Sequence, residues 1–465
     1  MTSIDTLPDD ILLEIFNSHQ YDADDGIGSK REKAWRTLVH VCRRWRSIVF
    51  GSPRHLNLQL ICTTTTPARD MLDIWPSFPL IVFYNDYPTR SVDDLIAALE
   101  CTDRVCQIHL EIAQSWDLDI YGAMQQPFPE LTYLDLYSYE TVAVVPDSFL
   151  GGSAPRLEYL YIFGIPFPGL PKLLLSATHL VTLRLYNIPH SGYISPDGMA
   201  ATLSTLTSLS HLSLGFKSPR SCPDQASRGP PLKTRSVLPV LTYFEFKGVS
   251  EYLEDLVACT DAPQLNRSSI TFFNDIVFDT PQFMQFISRT PMLRAPDKAH
   301  ITLQDRAAKV SFSSQTSRDQ GSSVHILCKG LDWQISSLEQ VCISCMPTLF
   351  VLENLYLCED SVSPPDLKDS VENGQWLELF RPFIAVKNLY LSENLASRIA
   401  PALQELVEGR TTDVLPALQN IFLKGLESSG SVQDSESIGK LVAARQAADH
   451  PIVISPWTDP EESEV

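Results

Sequence analysis

The side chains that could do chemistry are scattered along the chain. Cys342 and Cys345 form a lone Cys-x-x-Cys pair on an apolar, helix-like stretch, with no second pair at zinc-site spacing, so buried thiols are the simpler interpretation. Gly26–Gly28 follows no strand pattern and lacks the third glycine of a phosphate-binding loop. His109 and Glu111 lie two residues apart and share one face of a predicted strand, but no third ligand is evident. The sequence therefore predicts no metal site and no cofactor.

No motif brings a nucleophile, a base and an oxyanion donor together. The chain contains no G-x-S-x-G elbow, no H-E-x-x-H helix and no P-loop. We therefore predict a protein without catalytic residues, whose chemistry is that of binding. An enzyme whose active site is assembled from residues far apart in the sequence is the alternative.

The first of the elements that could position a binding surface is an amphipathic helix near the start of the chain. The segment Leu7–Phe16 has Thr6 as a candidate N-cap, Pro8 in its first turn, and Asp9 and Asp10 at the positive end of the helix dipole. Its apolar residues recur four apart and predict a broad apolar face.

A second helical stripe follows. Its apolar residues Trp35, Leu38, Cys42, Trp45 and Val49 step by 3, 4, 3 and 4 residues, which is a sustained helical period. Helices this short have too little core to hide their apolar surface from water. The remaining surface must therefore be covered by a partner, either later in this chain or on another chain.

The order of these residues resembles the F-box family over about residues 4–56. The resemblance is carried by LP-x-x-I-L-x-x-I-F, then L-x-x-V-C-R-x-W, then a small loop with Pro53. It implies a helical module that docks its carrier onto the Skp-family adaptor of cullin–RING (SCF) ubiquitin ligases. The adaptor contacts that it implies are Leu7, Pro8, Ile11, Leu12, Ile15, Phe16, Val41, Cys42 and Trp45.

The segment Asn17–Ala34 departs from the F-box pattern. It is longer and more polar than the usual connection between the two helices, and it predicts a solvated loop. The alternative to a docking module is an ordinary helical cap that closes the open end of the domain behind it.

The charge and the cysteines of the chain narrow the range of possible partners and locations. The 465 residues carry a formal net charge of −20, and the excess lies beyond residue 60, so nucleic acid and anionic membranes are poor partners. No signal peptide and no membrane-spanning run is evident. The ten scattered cysteines then indicate reduced thiols and a cytoplasmic or nuclear location.

The body of the chain repeats one phrase, L-x-x-L-x-L, with other large apolar residues allowed. Successive starts differ by 23 to 32 residues among the first six copies, and by 34 and 32 among the last three. This phrase and period are typical of leucine-rich repeats, in which each strand and helix bury their apolar side against the next repeat. The copies start at Val105, Leu131, Leu157, Leu180, Leu209, Leu241, Leu352, Val386 and Leu418.

We therefore predict an α/β fold, with an N-terminal helical F-box followed by a curved leucine-rich-repeat-like solenoid with a mostly parallel sheet. An α/β sandwich with leucine-rich strands is the alternative. The predicted domains are 1–56 (F-box-like), 57–100 (connection and repeat cap), 101–426 (irregular repeats) and 427–465 (linker, last helix and strand, acidic tail).

Several stretches interrupt the repeat. Residues 265–330 fit it least, and their looser strand signals predict a meander or degenerate repeats. Polar composition predicts surface loops at Lys217–Ser236, Gln304–Ser323 and Glu359–Gly374. Beyond the repeats, Ile438–Ala448 predicts a last helix and Ile452–Ile454 a last strand.

The outward positions of the predicted strands lie between and just after the last two apolar residues of each phrase. Most of them are Tyr or Phe, types that are enriched at protein-binding hot spots. We predict a target-binding face formed by Asp135, Tyr137, Tyr161, Phe163, Arg184, Tyr186, Glu245, Lys247, Tyr356, Tyr390 and Phe422.

Together, a docking module and a repeat body resemble the substrate-receptor subunit of an SCF ubiquitin ligase. The resemblance implies a non-catalytic receptor that holds a Skp-family adaptor, and through it a cullin–RING ligase, at one end and a target protein on the repeat face. A scaffold that binds a stable partner, with or without the adaptor, is the alternative function.

Overall fold

The computed structural model forms two units, Met1–Ile194 (unit 1) and Ser195–Val465 (unit 2). Each unit alternates strands with helices. The residues described are 7–21, 29–53, 55–63, 68–84, 92–114, 117–221, 235–273, 280–293, 296–314, 317–345, 347–360, 362–364, 371–405, 414–424, 440, 442–443, 445–447 and 451–457.

Unit 1 contains three N-terminal helices and then a parallel sheet in which neighbouring strands follow chain order. Its described elements are α1 (Asp9–Tyr21), α2 (Ser29–Val41), α3 (Arg43–Gly51), β1 (Leu60–Thr63), α4 (Ala68–Ile74), β2 (Leu80–Tyr84), α5 (Val92–Leu99), β3 (Val105–Glu111), α6 (Asp117–Ala123), β4 (Tyr133–Tyr137), β5 (Tyr159–Phe163), α7 (Leu170–Leu174) and β6 (Thr182–Ile188).

The first half of unit 2 continues the alternation and ends in a longer hairpin. Its described elements are α8 (Pro196–Leu203), β7 (His211–Phe216), β8 (Ser236–Val237), β9 (Tyr243–Gly248), α9 (Ser250–Ala258), β10 (Thr260–Asp261), β11 (Arg267–Phe273), α10 (Pro281–Arg289), β12 (Lys298–Leu303), β13 (Ala308–Ser314) and β14 (Ser317–Leu327). The short strands β8 and β10 pair with each other, apart from the main sheet.

The second half of unit 2 returns to regular repeats. Its described elements are α11 (Leu331–Cys345), β15 (Asn354–Glu359), α12 (Asn373–Phe380), β16 (Asn388–Leu391), α13 (Glu393–Glu405), β17 (Asn420–Leu423) and β18 (Val453–Pro456). The strand order of the main sheet in unit 2 is β7-β9-β11-β14-β13-β12-β15-β16-β17-β18.

The repeat phrases form the strands, as the sequence predicts, and the fold class is confirmed. All nine phrases coincide with strands: β3 to β7, β9 and β15 to β17. In β4, Leu134 and Leu136 are buried while Asp135 and Tyr137 are half-exposed. This alternation places one face of each strand in the core and the other at the surface.

The helices cover the apolar face of the sheet. In α12, for example, Trp376, Leu379 and Phe380 are buried. Neighbouring helices α8 to α13 pack against one another in chain order. Each strand and helix therefore complete their core with the next repeat, as expected of leucine-rich repeats.

The prediction of a surface loop at Gln304–Ser323 is wrong. These residues form β13 and most of β14. β13 runs antiparallel to both β12 and β14, whereas β14 pairs in parallel with β11, so β12, β13 and β14 form a meander within the otherwise parallel sheet. Ser311, Ser313 and Ser323 are half-exposed, Val310 and Val324 are buried, and the buried Ser322 hydroxyl is hydrogen-bonded to Ser268 at 2.7 Å. An antiparallel strand with one solvated face can carry this much serine, so composition alone was misleading. Within 265–330, β12 to β14 form the meander, whereas β11 and α10 keep the alternation of strand and helix.

The described residues of the polar segment Asn17–Ala34, which are 17–21 and 29–34, are helical rather than a loop. Helix α1 runs to Tyr21 and α2 begins at Ser29. Lys, Glu and Gln are good helix formers, so a polar stretch can extend a helix that another region of the molecule anchors. The GIG segment of the sequence, Gly26–Gly28, lies outside the described residues.

Further strands lie on both sides of the predicted repeat region. The segment 57–100, assigned as a connection and cap, contributes two strands, β1 and β2. The predicted last strand is β18, and those residues of the predicted last helix that are described are helical. The linker Glu427–Ser437 and the acidic end Asp459–Val465 lie outside the described residues. In the described chain, no helix combines the length and apolarity needed to cross a bilayer.

Gly164 lies where the backbones of successive repeats approach closely, so a substitution there tests this packing. It follows β5 with φ +72°, its N–H donates to the Tyr186 carbonyl at 2.9 Å, and an added Cβ would lie 2.2 Å from the Ser138 carbonyl oxygen. We expect Gly164→Ala to lower the free energy of unfolding by at least about 2 kcal/mol, because the left-handed conformation and the backbone clash both oppose a side chain. Urea denaturation measures this.

Gly122→Ala is the matched control. Gly122 lies in α6, and a Cβ there would meet nothing within 4 Å. Alanine should leave stability unchanged or raise it by up to about 1 kcal/mol, because it is the better helix former. Equal stability of Gly164→Ala and the wild type would contradict the tight approach.

Candidate functional site

The N-terminal helices share a small core of their own. Leu12 and Phe16 on α1 are fully buried, and the Phe16 ring packs on Trp45 of α3 with centroids 4.7 Å apart. Arg44 of α3 reaches back to α1, where it pairs with Asp9 at 2.6 Å and donates to the Leu7 carbonyl at 2.5 Å. These contacts fasten α1 to α3.

Cys42 lies between α2 and α3 and acts as a helix cap. Its extended backbone separates the two helices, and its Sγ accepts a hydrogen bond from the Trp45 N–H at 3.4 Å. Of the nine predicted adaptor contacts, Cys42, Trp45, Leu12 and Phe16 thus make defined contacts within the N-terminal helices themselves.

A second face of these helices packs on the start of the sheet in unit 1. Trp35 of α2 is buried, with its ring 5.2 Å from Trp75 and 5.7 Å from Phe78, both in the connection from α4 to β2. Phe50 of α3 meets the same two rings. The helices therefore do cover the first repeat, as the alternative interpretation of a helical cap expects.

Apolar side chains on α1 and at the end of α2 remain exposed after both sets of contacts are made. Ile11 is 44% exposed, Ile15 is 43% exposed one turn further along α1, and Val41 at the end of α2 is 55% exposed. Pro8 is also exposed, and Leu7 is half-exposed. We call Pro8, Ile11, Ile15 and Val41 the apolar stripe; all four are among the residues predicted to contact the adaptor.

The outward face of unit 1 is rich in tyrosine. In-register pairing brings one position of β3 to β6 into a row, His109–Asp135–Tyr161–Arg184, and the next outward position into a second row, Glu111–Tyr137–Phe163–Tyr186. All six predicted target-binding residues of unit 1 lie in these two rows, and each is half-exposed.

The rings of the unit 1 face contact one another across strands. Tyr133 and Tyr159 stack at 4.1 Å, and exposed Tyr139 lies 5.3 Å from Phe163. Burial raises the pKa of Tyr133 and Tyr137 above the ordinary tyrosine value. The Tyr137 hydroxyl also donates a hydrogen bond to Glu111, and the Tyr133 hydroxyl is bonded to Tyr159, so these two hydroxyls are engaged within the face.

The carboxylates of this face are partly engaged. Asp135 lies 3.5 Å from the His109 ring, so the His109 and Glu111 pair seen in the sequence is part of a polar network on β3 and β4. Among the described residues, no group of three or more His, Cys, Asp or Glu could hold a metal ion. Cys342 is buried, and the Cys345 side chain lies outside the described part.

Glu245 and Lys247 lie on the outward face of unit 2, on β9. Glu245 accepts hydrogen bonds from Ser213 at 3.0 Å and from the Tyr243 hydroxyl at 3.3 Å. Lys247 is exposed, with its Nζ 5.6 Å from the Phe273 ring centroid. Beyond β9, β11 and the meander present several serines at outward positions, for example Ser269 on β11 and Ser323 on β14, whose hydroxyls are 3.3 Å apart.

The last repeats of unit 2 present a continuous stack of rings, which we call the aromatic row: His300, Tyr356, Tyr390 and Phe422. These residues are paired in register on β12, β15, β16 and β17. Successive ring centroids are 4.2, 4.1 and 4.5 Å apart, with interplanar angles of 3°, 9° and 10°. Three predicted target-binding residues of unit 2 therefore belong to one surface.

A row of asparagines runs beside the aromatic row. The Asn420 amide donates to the Asn388 oxygen, and the Asn388 amide donates to the Asn354 oxygen, both at 2.8 Å. Asn354 in turn donates to the Asp297 carbonyl at 3.3 Å. This ladder ties the starts of three strands together and holds the aromatic row in register.

Sequence reasoning missed several residues of these faces. Tyr133, Tyr159 and Asn354 stand one outward position earlier in their strands than the residues predicted, so extending the alternation by two residues would have found them. Trp457 gave no such signal, because it follows β18 and reaches the aromatic row only in the folded chain.

Comparison with known proteins adds little to this picture. No protein-family model and no curated protein matches the chain. The leucine-rich repeat-containing protein LegL7 from Legionella pneumophila shares 13% identity at a TM-score of 0.30, over 76% of this chain and 95% of LegL7. A chain of the yeast Rad7 and Elc1 complex shares 11% identity at a TM-score of 0.27, over 90% of this chain and 88% of that one. Likeness at this level carries no argument about function. The strands and helices of the chain itself define a leucine-rich-repeat-like α/β protein.

His325 on the meander should make stability depend on pH. Burial, and next the charge of Lys309, lower the pKa of His325 from 6.5 to about 4. Because the folded pKa is depressed, protonation favours the unfolded chain, and stability falls as the pH drops from about 6.5 toward 4. We expect wild type to lose about 1 kcal/mol more than His325→Gln between pH 7 and pH 5, after allowance for solvent screening.

Urea denaturation at both pH values measures this difference. His190→Gln is the control, because His190 is exposed and its replacement should leave the pH dependence of wild type unchanged. Parallel pH profiles for wild type and His325→Gln would contradict the expected role of His325.

Proposed function

We propose that this chain is the substrate-recognition subunit of an SCF-type E3 ubiquitin ligase, with no catalytic residues of its own. One end would hold a Skp-family adaptor and the repeat face would hold a target protein. The observation that carries the proposal is the apolar stripe, which stays exposed on helices whose sequence resembles the F-box.

The apolar stripe calls for a partner because the part of the chain that the structure describes leaves it exposed. Ile11, Ile15 and Val41 are each more than 40% exposed, whereas Leu12, Phe16 and Trp35 of the same helices are buried. Covering the exposed part of one such aliphatic side chain is worth on the order of 1 kcal/mol. If one partner covers these three side chains together with Pro8, they would supply the apolar centre that a stable protein interface needs.

The core residues of the N-terminal helices would support the apolar stripe by holding the helices in place. Leu12, Phe16 and Trp45 form the core of the N-terminal helices, and the Arg44–Asp9 pair fastens α1 to α3. They support the proposal by fixing the angle at which the stripe is presented. In the free chain, Leu12 and Phe16 themselves have no surface to offer a partner.

The outward faces supply the second binding function. In unit 1, tyrosine hydroxyls and rings lie beside Asp135, Glu111 and Arg184, a mixture of polar and aromatic groups typical of protein-binding surfaces. The proposed receptor would act by raising the effective concentration of a target near the ubiquitin-loaded enzyme. The acidic chain, at a net charge of −20, disfavours nucleic acid as that target.

A second candidate function is a protein-binding scaffold outside any ligase. The packing of Trp35 and Phe50 on Trp75 and Phe78 favours it, because that packing gives the N-terminal helices a structural role as the cap of the first repeat whether or not an adaptor binds. The two functions differ in whether the exposed stripe binds an adaptor.

Co-expression with a Skp-family adaptor tests the proposal. Wild type should co-purify with the adaptor at equal stoichiometry, whereas Ile11→Asp/Ile15→Asp should bind at least about 100-fold more weakly, because two charges would enter an apolar contact. Size-exclusion chromatography and a titration of purified adaptor measure this.

The control is Ile74→Asp/Leu118→Asp, which adds the same charge to unit 1 at aliphatic side chains that are 72% and 69% exposed. It should bind the adaptor as wild type does. If wild type is stable alone and never binds the adaptor, the helices are a cap only and the scaffold function replaces the ligase.

A further inference from the structure

A tryptophan of the chain itself packs on the aromatic row of unit 2. Trp457, the residue after β18, lies over the row with its ring centroid 5.8 Å from Tyr356 and 5.7 Å from Tyr390. Its ring is tilted by 58° and 67° from theirs. Lys424 places its Nζ 5.8 Å from the Trp457 ring centroid. One indole therefore rests on two neighbouring ring edges beside a cation.

The row accepts an aromatic ring for an electrostatic reason. Rings stacked face to face along the row, as Tyr356 and Tyr390 are, leave their edges pointing away from the sheet. Ring edges are electropositive and ring faces electronegative, so a ring that arrives across the row gains edge-to-face contacts with two tyrosines at once. The Lys424 ammonium adds a cation–π contact that an aliphatic side chain could not make.

The main chain that carries Trp457 is extended and lies at the edge of the sheet. β18 pairs in parallel with β17, and the Trp457 N–H donates to the Leu423 carbonyl at 2.8 Å. In β18 the register position of the aromatic row holds Ser455, opposite Phe422, so no large side chain from β18 competes with the indole for the space above the row.

β18 is a short strand at the edge of the sheet. The strand has four residues, its Val453 is 57% exposed and its Pro456 is exposed. Short edge segments with little buried surface open at a small fraction of the free energy of global unfolding. Ile452, directly before β18, is buried, and opening of this edge alone would release Trp457 from the row while the strands beneath stay folded.

We propose that the aromatic row is a tryptophan-binding site for an extended segment of a target protein, and that Trp457 occupies this site when no target is bound. The target would present a tryptophan across Tyr356 and Tyr390, in the place that Trp457 occupies in the free chain. This inference rests on the target-binding part of the proposed function and names the chemistry of the target, but it does not depend on adaptor binding.

The test uses the capped tripeptide acetyl-Ser-Pro-Trp-amide, which copies the sequence at Trp457, and acetyl-Ser-Pro-Ala-amide as its control. Saturation-transfer NMR of the ligand measures binding to the full-length chain. Trp457→Ala vacates the row and should bind the tryptophan peptide at least ten times more tightly than wild type, in which Trp457 competes as a tethered ligand. The alanine peptide should not bind either protein.

Two further variants show whether the binding depends on the aromatic row. Trp457→Ala/Tyr390→Leu removes one ring of the row and keeps a bulky apolar side chain, and it should lose the binding. Trp333→Ala removes a tryptophan that is 56% exposed on α11 of the same unit, and it should behave as wild type does. If Trp457→Ala fails to fold by circular dichroism, Trp457→Leu vacates the indole position in the same titration.

Equal binding of the tryptophan peptide to wild type and Trp457→Ala, or undiminished binding after Tyr390→Leu, would overturn the site. A chain that binds the peptide at the row but never binds a Skp-family adaptor would retain this site and lose only the ligase role. The two failures are therefore distinguishable.

Discussion

The structure depends on one constraint, the in-register pairing of strands whose apolar residues alternate. Leu134, Leu160 and Leu183 pair across β4, β5 and β6, and each is fully buried. A slip of one residue would turn every leucine outward, so burial of the sheet enforces the register. The same register aligns the outward residues into rows. The binding faces thus follow from the need to bury leucine on the opposite side.

The open end of a repeat array exposes apolar surface that no further strand covers. Here the N-terminal helices provide that cover through Trp35 and Phe50, which pack against Trp75 and Phe78. Short helices have several faces and cannot bury them all against one sheet edge. The cap and the apolar stripe are therefore two consequences of the same geometry, and a docking role does not compete with a structural one.

The outward faces of the two units differ in chemistry. The face of unit 1 combines tyrosines with Asp135, Glu111 and Arg184. In unit 2, β11, β14 and β13 separate β9 from the aromatic row, and their outward positions include Ser269, Ser311 and Ser323. Small hydroxyl side chains offer little contact area, whereas stacked rings offer much, so the aromatic row is the part of unit 2 best suited to anchor a partner.

The sequence by itself determined the repeat. All nine phrases are strands, and all eleven residues predicted on the outward positions lie there, because alternation along a strand is a local property of period two. Tertiary structure decided what depends on distant residues. Ile11 and Ile15 are exposed while Leu12 and Phe16 are buried, because burial depends on how three helices pack together. The serine-rich stretch became a meander because strands on either side could pair with it, and Trp457 reached the aromatic row only because β18 pairs with β17.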